Sequence, residues 1–183
     1  MSRLPIPASI DAAPAEARPM LEAVKKQLGV VPNLFRLVST SPPALEGYLA
    51  LSGALGKGSL PAPTRERIAL AIAQINGCDY CLSAHSYLGK HLAKLDESEV
   101  AANRNGHSND PKADAAVVFA VRVATQRGRV SNDDLRAVRF AGYEDAQIIE
   151  IVQHVALNVW TNYVNNVAET DIDFPVVNAA VAA

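Results

Sequence analysis

Residues 65–85 read RERIALAIAQINGCDYCLSAH, and this stretch decides the fold class. Ile68, Ile72 and Ile75 recur at the i, i+4 and i+7 positions that place side chains on one face of an α-helix. Gly77 ends the periodic run, as glycine commonly does just beyond a helix. A second helical segment, which carries both cysteines of the chain, follows at once. The stretch therefore predicts two consecutive α-helices separated by a short break.

The same signals predict further helices on both sides of this stretch and no strand. The β-branched and aromatic run 117–121 lies inside an alanine-rich segment longer than ordinary strands, so it too is assigned to a helix. Three helix starts carry residues typical of caps, namely Thr64, Asp96 with Glu99, and Ser131 with Asp134. The predicted helices cover about 20–28, 42–55, 65–75, 78–93, 96–104, 111–126, 131–141 and 144–168, and the apolar turn at 30–35 leads into a further short helix that ends near residue 38.

Length and composition suit one all-α domain. The chain has 183 residues, of which 49% are apolar and 20% charged, enough to fill a core. Aromatic residues make up only 5%, so Ala, Val, Leu and Ile must build that core, as in close-packed helices. Four of the eleven prolines fall within residues 1–19, which are predicted to form an extended arm. A single helical domain is expected over 20–175, followed by a tail over 176–183.

The charge and the lengths of the apolar runs argue against nucleic-acid and membrane partners. With a net charge of −2 and no long block of like charge, the chain offers no basic face for nucleic acid. It contains no run of about 18 apolar residues that would predict a membrane span, and its N-terminus lacks the apolar segment of a signal peptide. We therefore expect a cytoplasmic protein with neither nucleic-acid nor membrane partners.

The two cysteines, Cys78 and Cys81, carry the chemistry suggested by the sequence. On a helix they are one turn apart and face the same way, and His85 follows Cys81 at i+4 on the same side. Cys78 lies at the helix start, which favours an anion and therefore a thiolate, the nucleophilic form of cysteine. This argument alone favours Cys78 as the nucleophile, whereas the i+4 neighbour His85 favours Cys81. One thiolate can take an oxygen from a peroxide to become a sulfenic acid, and the second thiol can condense with it to a disulfide. The spacing favours redox chemistry on a peroxide or a disulfide.

Glu66 is a further candidate because it lies twelve residues before Cys78, on a helix face shared with Ala69 and Ala73. A carboxylate there can polarise His85 and help to remove a thiol proton. An exposed glutamate in a first helical turn is the simpler interpretation, and the pattern alone favours it.

Other interpretations of the cysteine pair stay open. Cys78, Cys81 and His85 can supply three ligands to zinc, although a structural zinc site requires four. Two buried, unreactive cysteines are a second alternative. A thioredoxin-like protein is disfavoured because its cysteine pair accompanies a βαβ unit and no strand is predicted here.

The joint spacing of Glu66, Cys78, Cys81 and His85 resembles the alkyl hydroperoxidase D-like (AhpD-like), peroxidase-related branch of the carboxymuconolactone decarboxylase superfamily. The runs VPNLF at 31–35 and AGYEDAQI at 141–148 are similar to members of that branch as well. The resemblance extends over about residues 29–170.

The resemblance implies an all-helical AhpD-like bundle that reduces organic hydroperoxides in antioxidant defence. Glu66 and His85 would form the proton relay, Cys81 would attack the peroxide, and Cys78 would either resolve the sulfenic acid or donate a proton. It implies no metal or organic cofactor, an external dithiol reductant, and a homo-oligomer built on trimers or dimers, up to a hexamer. Some members carry histidine where this chain has Tyr80. A thiol–disulfide reductase or adaptor serving another peroxidase, and a non-catalytic helical or metal-binding module, remain alternative functions.

The last predicted helix carries apolar residues on more than one face, which indicates burial on more than one side and favours a subunit interface. Asn158, Asn162 and Asn166 form an i, i+4, i+8 stripe, which suits either an interface or pocket, or a solvated face. Trp160 and Asn162 are the residues predicted at the interface. His154 is interpreted as a core histidine whose ring nitrogens have partners.

Overall fold

The computed structural model describes residues 2–179, so Met1 of the predicted arm and residues 180–183 of the predicted tail lie outside it. A single 3₁₀ turn, Ala15–Ala17, precedes the first α-helix. The α-helices are α1 Arg18–Leu28, α2 Asn33–Val38, α3 Pro42–Leu55, α4 Ala62–Ile75, α5 Asp79–His91, α6 Glu97–Arg104, α7 Pro111–Thr125, α8 Asn132–Phe140 and α9 Asp145–Ala168. No strand occurs within residues 2–179, and the predicted all-α, single-domain bundle is confirmed.

Helix α4 is the centre of the bundle and packs against α5, α6, α7 and α9. Ile68, Leu70 and Ile72 of α4 are fully buried. Burying each such side chain contributes about 1.5–3 kcal/mol. Alanines at positions 69, 71 and 73 alternate with these residues and are buried too, which lets neighbouring helices approach closely. The residues on opposite sides of α4 belong to two separate hydrophobic clusters.

The first cluster joins α4 to the N-terminal helices and α5, and the second joins it to α7, α8 and α9. Leu21, Leu34, Leu45, Leu70 and Leu82 are representative of the first cluster, which also contains both cysteines. Ile68, Phe119, Val138 and Ile151 are representative of the second. The cysteines therefore sit in the half of the core that α1–α3 close off.

Helix starts agree with the predicted caps in part. Ser131 and Asp134 form a reciprocal capping box at α8, as expected. Thr64 is not a cap, because α4 begins at Ala62 with a proline in its first turn and Thr64 is buried inside the helix. Proline is compatible with the first helical turn, where its missing N–H costs nothing.

The segment after α9 returns across the start of α5. The Val177 N–H donates to Ser83 Oγ at 2.9 Å, and the Ala179 N–H donates to Asp79 Oδ1 at 2.7 Å. Phe174 meets the edge of Tyr80, with ring centroids 5.9 Å apart. These contacts cover the helix that carries the cysteines. None of the helices within residues 2–179 is long and apolar enough to cross a bilayer.

Candidate active site

The turn between α4 and α5 fixes the position of Cys78. Gly77 adopts a left-handed conformation with φ +61°, which glycine tolerates without steric cost. The N–H groups of Gly77 and Cys78 return to the carbonyls of Gln74 and Ala73, a Schellman arrangement that ends α4. Cys78 then becomes the N-cap of α5, and its sulfur accepts a hydrogen bond from the Cys81 N–H at 3.3 Å.

All of the predicted site residues come together in the structure. The Cys78 and Cys81 sulfurs are 2.7 Å apart, and both cysteines are free and buried. On the adjacent turn of α5, His85 Nδ1 lies 2.8 Å from Glu66 Oε2 of α4. The simpler interpretation of Glu66 as an exposed surface residue is therefore wrong, because its carboxylate points at His85.

A cavity of about 190 Å³ lies beside Cys81. Cys81, Glu66 and His85 line it, whereas Cys78 lies behind Cys81 and is not part of the wall. The remaining wall comes from α2, α3, α4, α5 and α9, and includes Leu34, Tyr48, Ser52, Arg65, Tyr80, His154, Leu157, Asn158 and Thr161.

The two thiols differ sharply in acidity. The pKa of Cys81 falls to about 7, first because the Cys78 thiol donates to its sulfur, and then because of the His85 charge and the amides of Asn165 and Asn162, which together outweigh burial. The Asn165 amide donates to Cys81 Sγ at 3.3 Å. The same hydrogen bond and burial raise the pKa of Cys78. Cys81 is therefore the thiol that ionises first, and Cys78 keeps its proton.

His85 is placed to carry the proton that Cys81 loses. Burial alone would lower the pKa of His85, but the Glu66 carboxylate beside it raises that pKa above its ordinary value. The Cys81 thiolate favours the charged ring further. The Cys81 thiolate and the protonated ring of His85 therefore stabilise each other, and the Glu66 carboxylate also favours the protonated ring.

The sequence did not predict that several of the residues around Cys81 would be part of the site. Tyr48 of α3 stacks on Trp160, with ring centroids 5.3 Å apart, and burial together with the nearby Cys81 and Glu66 charges raises its pKa, so it remains a hydrogen-bond donor. The pattern of asparagines on one side of α9 includes Asn165, but the sequence did not indicate which element that side would face.

The asparagine stripe is not a solvated face. Asn158 lines the cavity, and Asn162 is fully buried with Oδ1 accepting from Asn76 at 2.9 Å. Asn166 is exposed and donates to the Asn76 carbonyl at 2.8 Å. Asn162 is fully buried in its own chain and Trp160 is half-buried against Tyr48, so the structure gives Asn162 no surface for a partner, and an interface at Trp160 stays a prediction.

His154 also differs from expectation. It is buried, as predicted, but its Nε2 has no hydrogen-bond partner among the described residues. Within residues 2–179, no group of three His, Cys, Asp or Glu side chains is arranged to hold a metal ion.

The chain is similar to a known protein family and to a solved structure. Residues 42–126 match the carboxymuconolactone decarboxylase family. A solved alkylhydroperoxidase AhpD core from Ralstonia eutropha JMP134, described as an uncharacterized peroxidase-related protein, is 28% identical with a TM-score of 0.83. That match covers 94% of this chain and 92% of the other. The predicted AhpD-like resemblance is confirmed.

Other similar proteins are more distant or match a shorter segment of the chain. The debrominase Bmp8 is 20% identical with a TM-score of 0.76, covering 92% of this chain and 91% of that protein, and shares the fold. An uncharacterized protein of Haemophilus influenzae is 41% identical over 64 residues, which is 34% of this chain. The matched segment spans about half of that relative's length, 51%.

Proposed function

We propose that this AhpD-like chain is a thiol-dependent peroxidase that reduces organic hydroperoxides with its Cys78–Cys81 pair and a Glu66–His85 proton relay. One observation carries the proposal. Cys81, whose pKa is lowered to about 7, lines one cavity together with His85, whose ring can give a proton, and its sulfur lies 2.7 Å from a second thiol that can resolve an oxidised sulfur.

The first step is attack of the Cys81 thiolate on the terminal oxygen of the hydroperoxide. A sulfur–oxygen bond forms, the oxygen–oxygen bond breaks, and its electron pair leaves on the alkoxide. His85 donates the proton that converts the alkoxide to an alcohol, and Glu66 stabilises the charged ring beforehand. Cys81 is left as a sulfenic acid.

The second step closes the disulfide. The Cys78 thiol, 2.7 Å from Cys81 in the reduced protein, attacks the sulfenic sulfur and water leaves with the thiol proton. An external dithiol then reduces the disulfide by exchange, returns both thiols and is itself oxidised. The predicted cytoplasmic location fits this cycle, because that compartment supplies dithiol donors.

The shape of the site favours a small oxidant over a protein disulfide. Cys78 is fully buried and Cys81 is 3% exposed, so a folded disulfide substrate has little access to either sulfur. A cavity of about 190 Å³ suits a ligand slightly larger than benzene, which fills an engineered cavity of about 150 Å³. Short-chain alkyl hydroperoxides are the proposed substrates, rather than disulfides of another protein.

Stopped-flow oxidation of the reduced protein tests the proposal. Trp160 is the only tryptophan in the chain and stacks on cavity-lining Tyr48, so its fluorescence should report oxidation by tert-butyl hydroperoxide. A dimedone-type probe should trap a sulfenic acid on Cys81 in Cys78→Ser, whereas Cys81→Ser should remain unlabelled. Labelling of Cys78 alone, in Cys81→Ser, would reverse the roles of the two thiols. Absence of peroxide reactivity in the wild type would refute the proposed function.

A further inference from the structure

His154 is a buried histidine on the wall of the cavity that contains Cys81. Only 6% of its surface is exposed, and Nε2 has no partner among the described residues. Leaving a buried polar group unpaired costs about 1–3 kcal/mol. Since residues 2–179 supply no partner and His154 borders the cavity, a molecule in the cavity is the contact that the geometry leaves open for the ring.

The ring of His154 is kept neutral. Burial is the main cause that lowers its pKa, to about 4, and the nearby positive charge of Arg65 adds to the effect. Arg65 is itself held in place, because its Nη1 donates to the Leu55 carbonyl at 3.1 Å. A neutral imidazole carries one N–H, so His154 can donate a hydrogen bond near neutral pH without first being charged.

The other polar side chains of α9 near Cys81 each make at least one hydrogen bond, whereas none is recorded for the ring of His154 among the described residues. Asn165 donates to Cys81 Sγ, and the Asn158 amide donates to the His154 carbonyl at 2.8 Å. His85 is paired with Glu66. His154 is thus a cavity-lining donor left free for the substrate, separate from the proton relay.

We propose that His154 is a further catalytic residue, whose ring N–H donates a hydrogen bond to the substrate oxygen that departs when Cys81 attacks the hydroperoxide. This inference rests on the proposed peroxidase function. As the oxygen–oxygen bond breaks, the departing oxygen gains the electron pair before the His85 proton reaches it. A fixed neutral donor stabilises that charge in a site from which water is largely excluded, as a neutral histidine does toward developing oxyanions in other enzymes.

The dependence of rate on the leaving group distinguishes this role from a structural one. An alkoxide leaving from tert-butyl hydroperoxide is strongly basic and needs stabilisation, whereas acetate leaving from peracetic acid needs little. In His154→Leu, which removes the donor at similar size, oxidation of Cys81 should slow about 10²-fold with tert-butyl hydroperoxide and no more than about threefold with peracetic acid. His154→Gln retains an amide donor and should recover part of the loss.

Controls separate this effect from a general disturbance of the site. Alkylation of Cys81 by iodoacetamide has no oxygen leaving group and should proceed at the wild-type rate in both variants. His91→Leu, at an exposed histidine of α5, should match the wild type with every reagent. Equal slowing with both oxidants, or a similar leaving-group effect from Tyr48→Phe but not His154→Leu, would overturn the role of His154.

A measurement on the wild type keeps the inference testable if the variants misfold. The chain has four histidines, so their ring resonances can be assigned by NMR. Titration with tert-butanol, the product alcohol, should shift the His154 ring resonances and leave those of His91 and His107 in place. If tert-butyl hydroperoxide oxidises the wild type but tert-butanol leaves His154 unshifted, the inference is refuted and the peroxidase proposal stands. If the wild type fails to react with either oxidant, both are refuted.

Discussion

Glu66 and Arg67 are neighbours on α4, yet they form ion pairs of different kinds. The Glu66 carboxylate lies 2.8 Å from His85 Nδ1, and each side chain is 23% exposed at the edge of the cavity. Arg67 donates to Glu99 of α6 at 2.6 Å, and these side chains are only 14% and 8% exposed. One pair contains an imidazole, which can exchange a proton, and the other joins a guanidinium to a carboxylate.

The two carboxylates also differ in how fully their oxygens are used. Besides Arg67, Glu99 accepts hydrogen bonds from Asn103, Ser108 and the Asn109 N–H. These bonds lower its pKa to about 2 despite burial, so it stays ionised and holds the loop before α7. The His85 ring is the partner that the structure records for Glu66. A carboxylate saturated with donors fixes structure, whereas one facing a single imidazole can support proton transfer.

The largest expected effect tests the catalytic pair. Glu66→Gln keeps an oxygen that can accept from His85 Nδ1 but removes the charge that keeps the ring protonated. We predict that oxidation of Cys81 by tert-butyl hydroperoxide slows by about 10²–10⁴-fold, the usual contribution of acid–base catalysis, with little change in thermal unfolding. An unchanged rate in a folded Glu66→Gln protein would show that the pair is merely structural.

The opposite result, a loss of stability without a loss of rate, is expected for Glu99→Gln. Removing the charge leaves Arg67 buried without its anion, so the free energy of unfolding at pH 7 should fall by on the order of 2–4 kcal/mol. The rate of Cys81 oxidation per folded molecule should stay at the wild-type value. Urea denaturation and stopped-flow oxidation on the same preparation measure both quantities.

The pH dependence supplies the control for that variant. The folded pKa of Glu99 is lowered to about 2, below the unfolded value of about 4.3. Its charge therefore stabilises the fold above the unfolded pKa, and this stability is lost as the pH falls through the folded pKa. The difference in stability between wild type and Glu99→Gln should shrink from pH 5 toward pH 2. A constant difference would mean that packing, not charge, causes the loss.

A smaller effect is expected from Asn165→Leu, which removes one of several donors to the Cys81 sulfur. A hydrogen bond to a charged group is worth about 1.5–3 kcal/mol, and the remaining donors compensate in part, so the pKa of Cys81 should rise by about one unit. The rate of iodoacetamide alkylation, which in the wild type rises through about pH 7, should then rise at a higher pH. Asn166→Leu, at the next and exposed position, should leave the midpoint unchanged.

The sequence revealed most where the relevant contacts are local. Cys78, Cys81 and His85 occupy one helix, so their i+3 and i+4 spacing determines which side chains share a face. The helices themselves followed from apolar periodicity, glycine stops and capping residues. Glu66 required the family resemblance, because its partner lies across a turn, 19 residues away.

Contacts between distant segments could not be predicted. Asn165 lies 84 residues from Cys81, and no periodicity on α9 says which helix it will face. The spacing of Asp96 and Glu99 predicts a capping box. The Asp96 cap exists, but the Glu99 carboxylate turns instead to Arg67, 32 residues earlier. His154 was correctly placed in the core, yet only the packed structure shows that its ring borders the cavity and lacks a partner.

The smallest effect on catalysis is expected from the outer face of α9, opposite the asparagines that face the site. Ile149, Val152, Tyr163 and Val167 form an exposed apolar stripe there, 66%, 40%, 57% and 65% accessible respectively. Since such stripes mark contact surfaces and the AhpD-like resemblance implies an assembly, we predict that a second copy covers it.

Tyr163→Glu should lower the mass toward the 19.5 kDa of a single chain in light scattering, while the oxidation rate changes by less than about twofold because the chemistry lies within one chain. Phe140→Glu, at a 97% exposed position on α8, serves as the control and should leave the mass unchanged. A monomeric wild type would contradict the assembly, and a large loss of rate on dissociation would mean that the partner helps to build the cavity.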